Sequence, residues 1–466
     1  MGYLLRDARI QPKAGALNRR GFLGAALGAG FLLPALSGCA ADSGNTLRVA
    51  YKQWGSGKVL EDFLTKVSAQ FQQANPGITV QLIPLVAGDN DYFTKSELMM
   101  SSESTAPDLV YEDTFILKSD VAAGYLRPID DKLRSWQPWT EIYDSAKTAV
   151  TGEDGRVYAV PIGTDTRALW YNTQLFASAG LPLPWQPATW AELLRDLAVL
   201  RDALPGVTPF NILSSKAQGE AAVMQGFEML LYGTADGLYD PERRKWVTGS
   251  RGFRDSLEFY RSVFQNGLGP STSRALNPNL ADMVYNDLLP GGKLAVNLDG
   301  GWLGLYWAKG AVAEWPEWST VLQQARMPTQ FGAGRGYTTM SGGWSWAFPA
   351  RSKKFDLAWE FLAAAMTKEN TVAYNVADNG IAVRRDVAQD PVYRASGPTV
   401  EFFSSLVEGA TFRPALAAYP QISASIQAAT EKVMTGSAAP EQAAKEYDQQ
   451  ITAIVGPDQV TGASPR

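Results

Sequence analysis

The sequence predicts an α/β protein with more than one lobe, and three observations carry that prediction. A strand–helix–strand pattern opens the chain after a leader, βα-like alternation continues to about residue 298, and the length allows two cores. The run Leu47-Arg48-Val49-Ala50-Tyr51 reads as a strand. Leu60, Phe63, Leu64, Val67 and Phe71 then recur at helical spacing on one face, and Asn75-Pro76-Gly77 stops that helix. Ile78 to Leu82 is the next strand. This βαβ unit implies a parallel sheet with a right-handed crossover. A helix from about Phe93 to Ser102 leads to the strand Asp108 to Tyr111, and Gly124 to Asp131 reads as a turn leaving a helix. Past Val157-Tyr158-Ala159-Val160-Pro161 the chain enters a second lobe. There Thr189-Trp190-Ala191-Glu192 forms a capping box ahead of Leu193, Leu194, Leu197 and Leu200. Residues 299 to roughly 366 read as a return, with the strand Ser345-Trp346-Ala347-Phe348 and a helix from near Asp356. Helices then fill much of the C-terminal hundred residues, Pro440 to Val455 among them.

The first 38 residues read as an address. Asn18-Arg19-Arg20-Gly21-Phe22-Leu23 puts two arginines ahead of an apolar stretch, Gly21 to Leu36, of 16 residues. A bilayer-spanning helix needs ~20, so the stretch fits the apolar core of an export signal. It ends in Leu36-Ser37-Gly38-Cys39, which resembles a lipobox. The expected lipidation site is Cys39, with residues 39–45 a small, polar tether and residues 456–466 a polar tail. The paired arginines resemble the twin-arginine signal, although Asn18 stands where the strict motif has Ser or Thr, and the general secretory route stays open.

Composition removes several chemistries. Cys39 is the single cysteine, so no disulfide forms within the chain, and there is no histidine at all. Ser-His-Asp and Cys-His catalysis and imidazole metal sites are therefore excluded, and neither a Gly-x-Ser-x-Gly elbow nor a Walker phosphate loop is present. No metal or cofactor is expected. Losing residues 1–38 removes five basic side chains (Arg6, Arg9, Lys13, Arg19, Arg20) and one acidic (Asp7), which takes the formal charge from −5 to −9. That argues against nucleic acid as a partner. Fourteen tryptophans and eighteen tyrosines remain, many in Gly-rich turns, where a binding cleft would display them.

Several segments, in order along the chain, resemble the extracellular solute-binding proteins of carbohydrate ABC importers, the maltose-binding-protein-like group. The strongest is Val157 to Asn172 with Leu175-Phe176 and Ala179-Gly180-Leu181. Pro107-Asp108-Leu109-Val110, Gly292 to Val296, Gly300-Gly301-Trp302, Gly342-Gly343-Trp344-Ser345, Ala358 to Leu362 and Gly380 to Arg384 agree with it. The resemblance implies a periplasmic-binding-protein type of α/β fold: two lobes joined by a multi-segment hinge, with the ligand cleft between them. Lobe 1 would take 46–163 and 299–366, and lobe 2 164–298 and 367–455. The crossings would lie near 163–165, 298–300 and 366–370. It further implies a receptor without catalysis, working as a monomer on the outer face of a bacterial membrane. There it would deliver a mono- or oligosaccharide to ABC permease subunits.

A sugar presents hydroxyls around its rim and an apolar C–H face, so its receptor needs charged or amide groups and flat aromatics. Asp165, in the first crossing, is the leading polar candidate, with Arg167 beside it; a purely structural pair is the competing reading. Glu112 and Asp113 end a strand at the carboxyl edge, where open α/β sheets bind ligands. Trp302 follows two glycines at a position that resembles a ligand-stacking tryptophan of the family. Trp344 and Trp54 also adjoin glycines, and Arg413 and Tyr419 complete the set. Trp190 and Trp359 sit at apolar helical spacing and read as core. Two alternatives stay open: the same fold holding a polyamine or a phosphorylated polyol, and a secreted glycosidase using two carboxylates.

Overall fold

The computed structural model describes residues 44–54 and 57–463. The expected leader and lipidation site at Cys39 lie outside these residues, as do the last residues of the expected tail.

Two sheets organise the molecule. The first has the order β2-β1-β3-β10-β4, where β1 is Thr46–Gln53, β2 Thr79–Val86, β3 Leu109–Asp113, β4 Ala159–Thr164 and β10 Gly343–Ala347. Strand β1 runs parallel to β2 (Leu47 opposite Val80) and to β3 (Val49 opposite Leu109), the pairing a βαβ unit requires. Helix α1, Val59–Ala74, makes the crossover and buries Leu60, Phe63, Leu64, Val67 and Phe71, the stripe its spacing predicts. Pro84, which has no amide hydrogen to give a ladder, is accommodated because β2 is an edge strand.

The second sheet has the order β8-β5-β7-β6, with β5 at Arg167–Asn172, β6 at Thr208–Asn211, β7 at Leu294–Gly300 and β8 at Leu322–Ala325. Thr189 caps its first long helix by accepting from the amide of Glu192 at 3.2 Å. The reciprocal arm of the capping box differs from expectation, since Glu192 accepts from the amide of Ala188 rather than from Thr189.

The chain leaves the first sheet at Thr164 and enters the second at Arg167. It does not return at 298–300. Strand β8 pairs with β5 (Leu322 opposite Asn172), and Leu303 and Trp307 join the apolar cluster around Trp170, so residues 299–340 stay with the second lobe. The return falls at 341–343, between the short strand β9 (Met340–Ser341) and β10. The last crossing also moves. Helix α2, Lys368–Ala377, packs on the first lobe through Tyr374, which meets Phe63 and hydrogen-bonds Tyr111. Helix α3, Val400–Leu406, packs on the second through Phe403 against Trp170, so the chain crosses between them rather than at 366–370. Among the described residues both lobes belong to one compact unit, and the largest core cluster spans them, with Tyr92, Phe93, Phe115 and Ile116 of the first lobe packed among residues of the second.

Candidate functional site

The carboxyl edge of the first sheet carries an aromatic platform. Trp344 opens β10 and stacks on Tyr111 of β3, with centroids 4.9 Å apart and planes 6° apart. Trp54, just past β1, meets Trp344 edge-on at 5.1 Å and is 39 % exposed, so its ring is available to a ligand. Beneath it lies Lys52, whose Nζ is 5.1 Å from the Trp54 ring, 5.5 Å from Trp344 and 5.9 Å from Tyr92. Burial pulls the Lys52 ammonium down to about 7, with Asp113 opposing the shift. The platform depends on Gly343. Its φ is +154°, and a Cβ there would stand 2.6 Å from the carbonyl oxygen of Gly163, so only glycine lets the crossings touch.

The two carboxylates at the end of β3 face different ways. Asp113 accepts from the amide of Phe115 at 2.8 Å and from Arg413 at 2.7 Å. Glu112 is buried and turned inward toward Asp120 and Glu97, away from the platform. Burial first, then Asp120, holds its carboxyl well above the usual range.

The second lobe contributes at the start of β5 and the end of β7. Arg167 is buried; it donates to Asp165 and, at 3.2 Å, to the carbonyl of Met340, and its guanidinium lies 5.1 Å from the ring of half-buried Trp302. Asp165 also accepts from the amide of Gly342 at 2.9 Å, which ties the first crossing to the second. Trp302 folds back over Gly300, where a Cβ would fall 2.0 Å from the indole. Asp299 accepts from Tyr285, Asn297 and its neighbouring amide, and burial still pushes it up to about 6.

Arg413 joins the halves. Its Nη2 donates to Asp113 and to Thr114 at 3.1 Å in the first lobe, and its Nη1 donates to Glu220 at 3.1 Å in the second. Burial works against its charge, yet the carboxylates of Asp113 and Glu220 hold it above the ordinary arginine range. Tyr419 lies deeper and is fully buried; its hydroxyl hydrogen-bonds Glu220 and Glu228, so it supports this clasp from below rather than facing a cleft. Burial and Glu220 push Glu228 up to about 8.

The structure thus gathers Trp54, Trp344 and Asp113 with Arg413 on one side, and Asp165, Arg167 and Trp302 on the other, while Glu112 and Tyr419 point into the interior. Sequence reasoning missed Lys52, Tyr92, Tyr111 and Glu220. None of them carried a readable local signal: Lys52 is one of two basic residues in a strand that also holds Thr46 and Gln53. The crevice beside the platform, lined by Thr114, Tyr143, Thr164, Trp344, Val383 and Phe412, has room for about 20 Å³. Ligand sites run from ~300 Å³ upward, so a solute enters there only if the lobes part.

A family model described as bacterial extracellular solute-binding protein matches residues 57–372. A putative binding protein of Brucella abortus is 25 % identical over 402 residues, covering 84 % of this chain and 90 % of its own. The mannitol-binding protein of Pseudomonas aeruginosa is 23 % identical over 309 residues, 66 % of each chain. Among solved structures, an ABC transporter solute-binding protein of Thermotoga lettingae bound with alpha-D-tagatose superposes with a TM-score of 0.75 at 22 % identity, covering 88 % of this chain and 100 % of that one. Maltose-bound MalE3 of T. maritima gives 0.74 at 19 % identity, with the same coverage. These likenesses establish the periplasmic-binding-protein type of fold.

Proposed function

The chain belongs to the bacterial extracellular solute-binding proteins, and from that premise we propose that it captures a mono- or oligosaccharide outside the membrane and hands it to the permease of an ABC importer. The observation that carries this reading is the platform of Trp54, Trp344 and Tyr111 beside Asp113 and Arg413. Asp165, Arg167 and Trp302 form a second polar and aromatic group on the other lobe. Flat rings suit the C–H face of a sugar, and charged groups suit its rim. Charge-assisted hydrogen bonds contribute ~1.5–3 kcal/mol each, so three or four with two stacks suffice for the roughly −8 kcal/mol of micromolar binding, closure included. The names of relatives that hold tagatose, maltose and mannitol point the same way.

Binding is proposed without turnover, by a monomer held at the outer membrane face through lipid on Cys39. A thermal-shift screen over neutral sugars, polyols, polyamines and sugar phosphates tests the ligand. A true ligand at 100 times its Kd adds ~2.7 kcal/mol of stability. A shift with a neutral sugar, which is recovered unchanged, is the expected result. Cleavage of an oligosaccharide, or a shift with a polyamine alone, would overturn the reading.

A further inference from the structure

The positions where a charged ligand would bind are already occupied by the chain's own charges. Three rings surround one point beside the cleft, Trp54, Tyr92 and Trp344, and such a cage attracts an ammonium group. The ammonium in it is that of Lys52, at 5.1 to 5.9 Å from the ring centroids, with the side chain 1 % exposed. Three of the carboxylates where the lobes meet are engaged too: Asp113 and Glu220 by Arg413, and Asp165 by Arg167. The same pairs place a carboxylate against each guanidinium, so an incoming phosphate would compete with Asp165 at Arg167 and with Asp113 and Glu220 at Arg413.

We infer that Lys52 is a built-in cation that closes the aromatic cage to cationic ligands and so sets the cleft's preference for uncharged polyhydroxyl solutes over amines. The inference rests on the sugar-binding reading only for its second half. The filling of the cage by Lys52 is a matter of geometry and charge. A cationic solute would have to expel the lysine from between the three rings, whereas a neutral sugar needs only the outer face of Trp54.

The test uses tetramethylammonium and putrescine as probes, beside the neutral sugar library, at about pH 6, where Lys52 carries its charge. Wild type, Lys52→Met and Lys52→Ala are compared by thermal shift and tryptophan fluorescence. Wild type is expected to ignore both cations. Lys52→Ala, which empties the cage, is expected to gain tetramethylammonium binding by roughly 3- to 30-fold over wild type, a gain that Trp54→Leu then removes. Lys52→Met, which fills the space without charge, is expected to show no such gain. A wild-type protein that binds putrescine at least as well as any neutral sugar overturns the inference, as does a folded Lys52→Ala without the gain. Should Lys52→Ala not fold, the wild-type and Lys52→Met arms decide: cation binding by either overturns it, and binding by neither supports it. Should no sugar bind, the sugar reading fails, while the cation arms still decide the role of Lys52.

Discussion

Buried charge decides the energetics at the residue scale. The exposed pair Lys58–Glu61 contributes little, whereas Arg413 sits between Asp113 and Glu220 out of water, where removing one partner of such a group typically costs ~3–5 kcal/mol. A second buried group has the opposite character. Glu112 and Asp120 are each about 1 % exposed, no amide, hydroxyl or cationic donor reaches their carboxyl oxygens, and they bond to one another, with Glu97 bonded to Asp120. Two carboxyl groups bond only by sharing a proton. Burial, then Glu97, pushes Asp120 up to about 8, and Glu112 and Glu97 are also raised. Because the folded values lie above the unfolded ones, this stability is fully present below about pH 4 and is lost as pH rises through about 8. Each proton held only by the folded state raises the unfolding constant by ~10-fold per pH unit in that window. Urea unfolding of wild type and Asp120→Asn between about pH 5 and 9 checks this. The wild-type slope should be the steeper, and equal slopes would remove the cluster from the account. For the candidates Trp54, Trp344 and Asp113, a place at the sheet's carboxyl edge was legible because backbone position announces it, whereas Glu112 at the same strand end faces inward. Lys52 and Glu220 were not legible, because only folding reveals which side of an element faces a cleft.

At the scale of elements, the crossings set how the lobes meet. Thr164 bonds Ser341 across the first two at 2.7 Å and exchanges backbone hydrogen bonds with Ile381 at 2.9 and 3.1 Å, so three passes of the chain touch at one point. Gly343 is the tightest spot there. Gly343→Ala would force its Cβ against the carbonyl of Gly163 in a backbone region other residues avoid, at ~1–3 kcal/mol. Chemical denaturation should register that loss while far-ultraviolet dichroism stays native, and an unchanged midpoint would mean that the crossing relaxes freely. The first βαβ unit and the last long helix, Pro440–Val455, were legible because their patterns are local. The boundary at 298–300 was misread because a Gly-rich stretch looks alike whether it leaves a lobe or folds back on it. The long-range pairing of Leu322–Ala325 with β5 settled the matter.

For the whole molecule, function requires both an opening and a place. On the proposed function, a crevice of only about 20 Å³ beside the platform would require the lobes to separate during capture, parting Arg413 from Asp113 or from Glu220. Anchoring at Cys39 would confine that cycle beside a permease and raise the local concentration of receptor. A Cys39→Ser variant should therefore appear in the medium or the soluble envelope fraction, and full retention on membranes would argue for another attachment. The sequence alone determined the α/β class, the family and the chemistries ruled out by absent histidine, because these depend on composition and local order. Only the tertiary structure decided which lobe owns residues 299–340, that Glu112 and Tyr419 face inward, and that Lys52 fills the cage beside Trp54. Each of those depends on contacts between residues far apart in the chain, and no local pattern encodes which buried charge meets which partner.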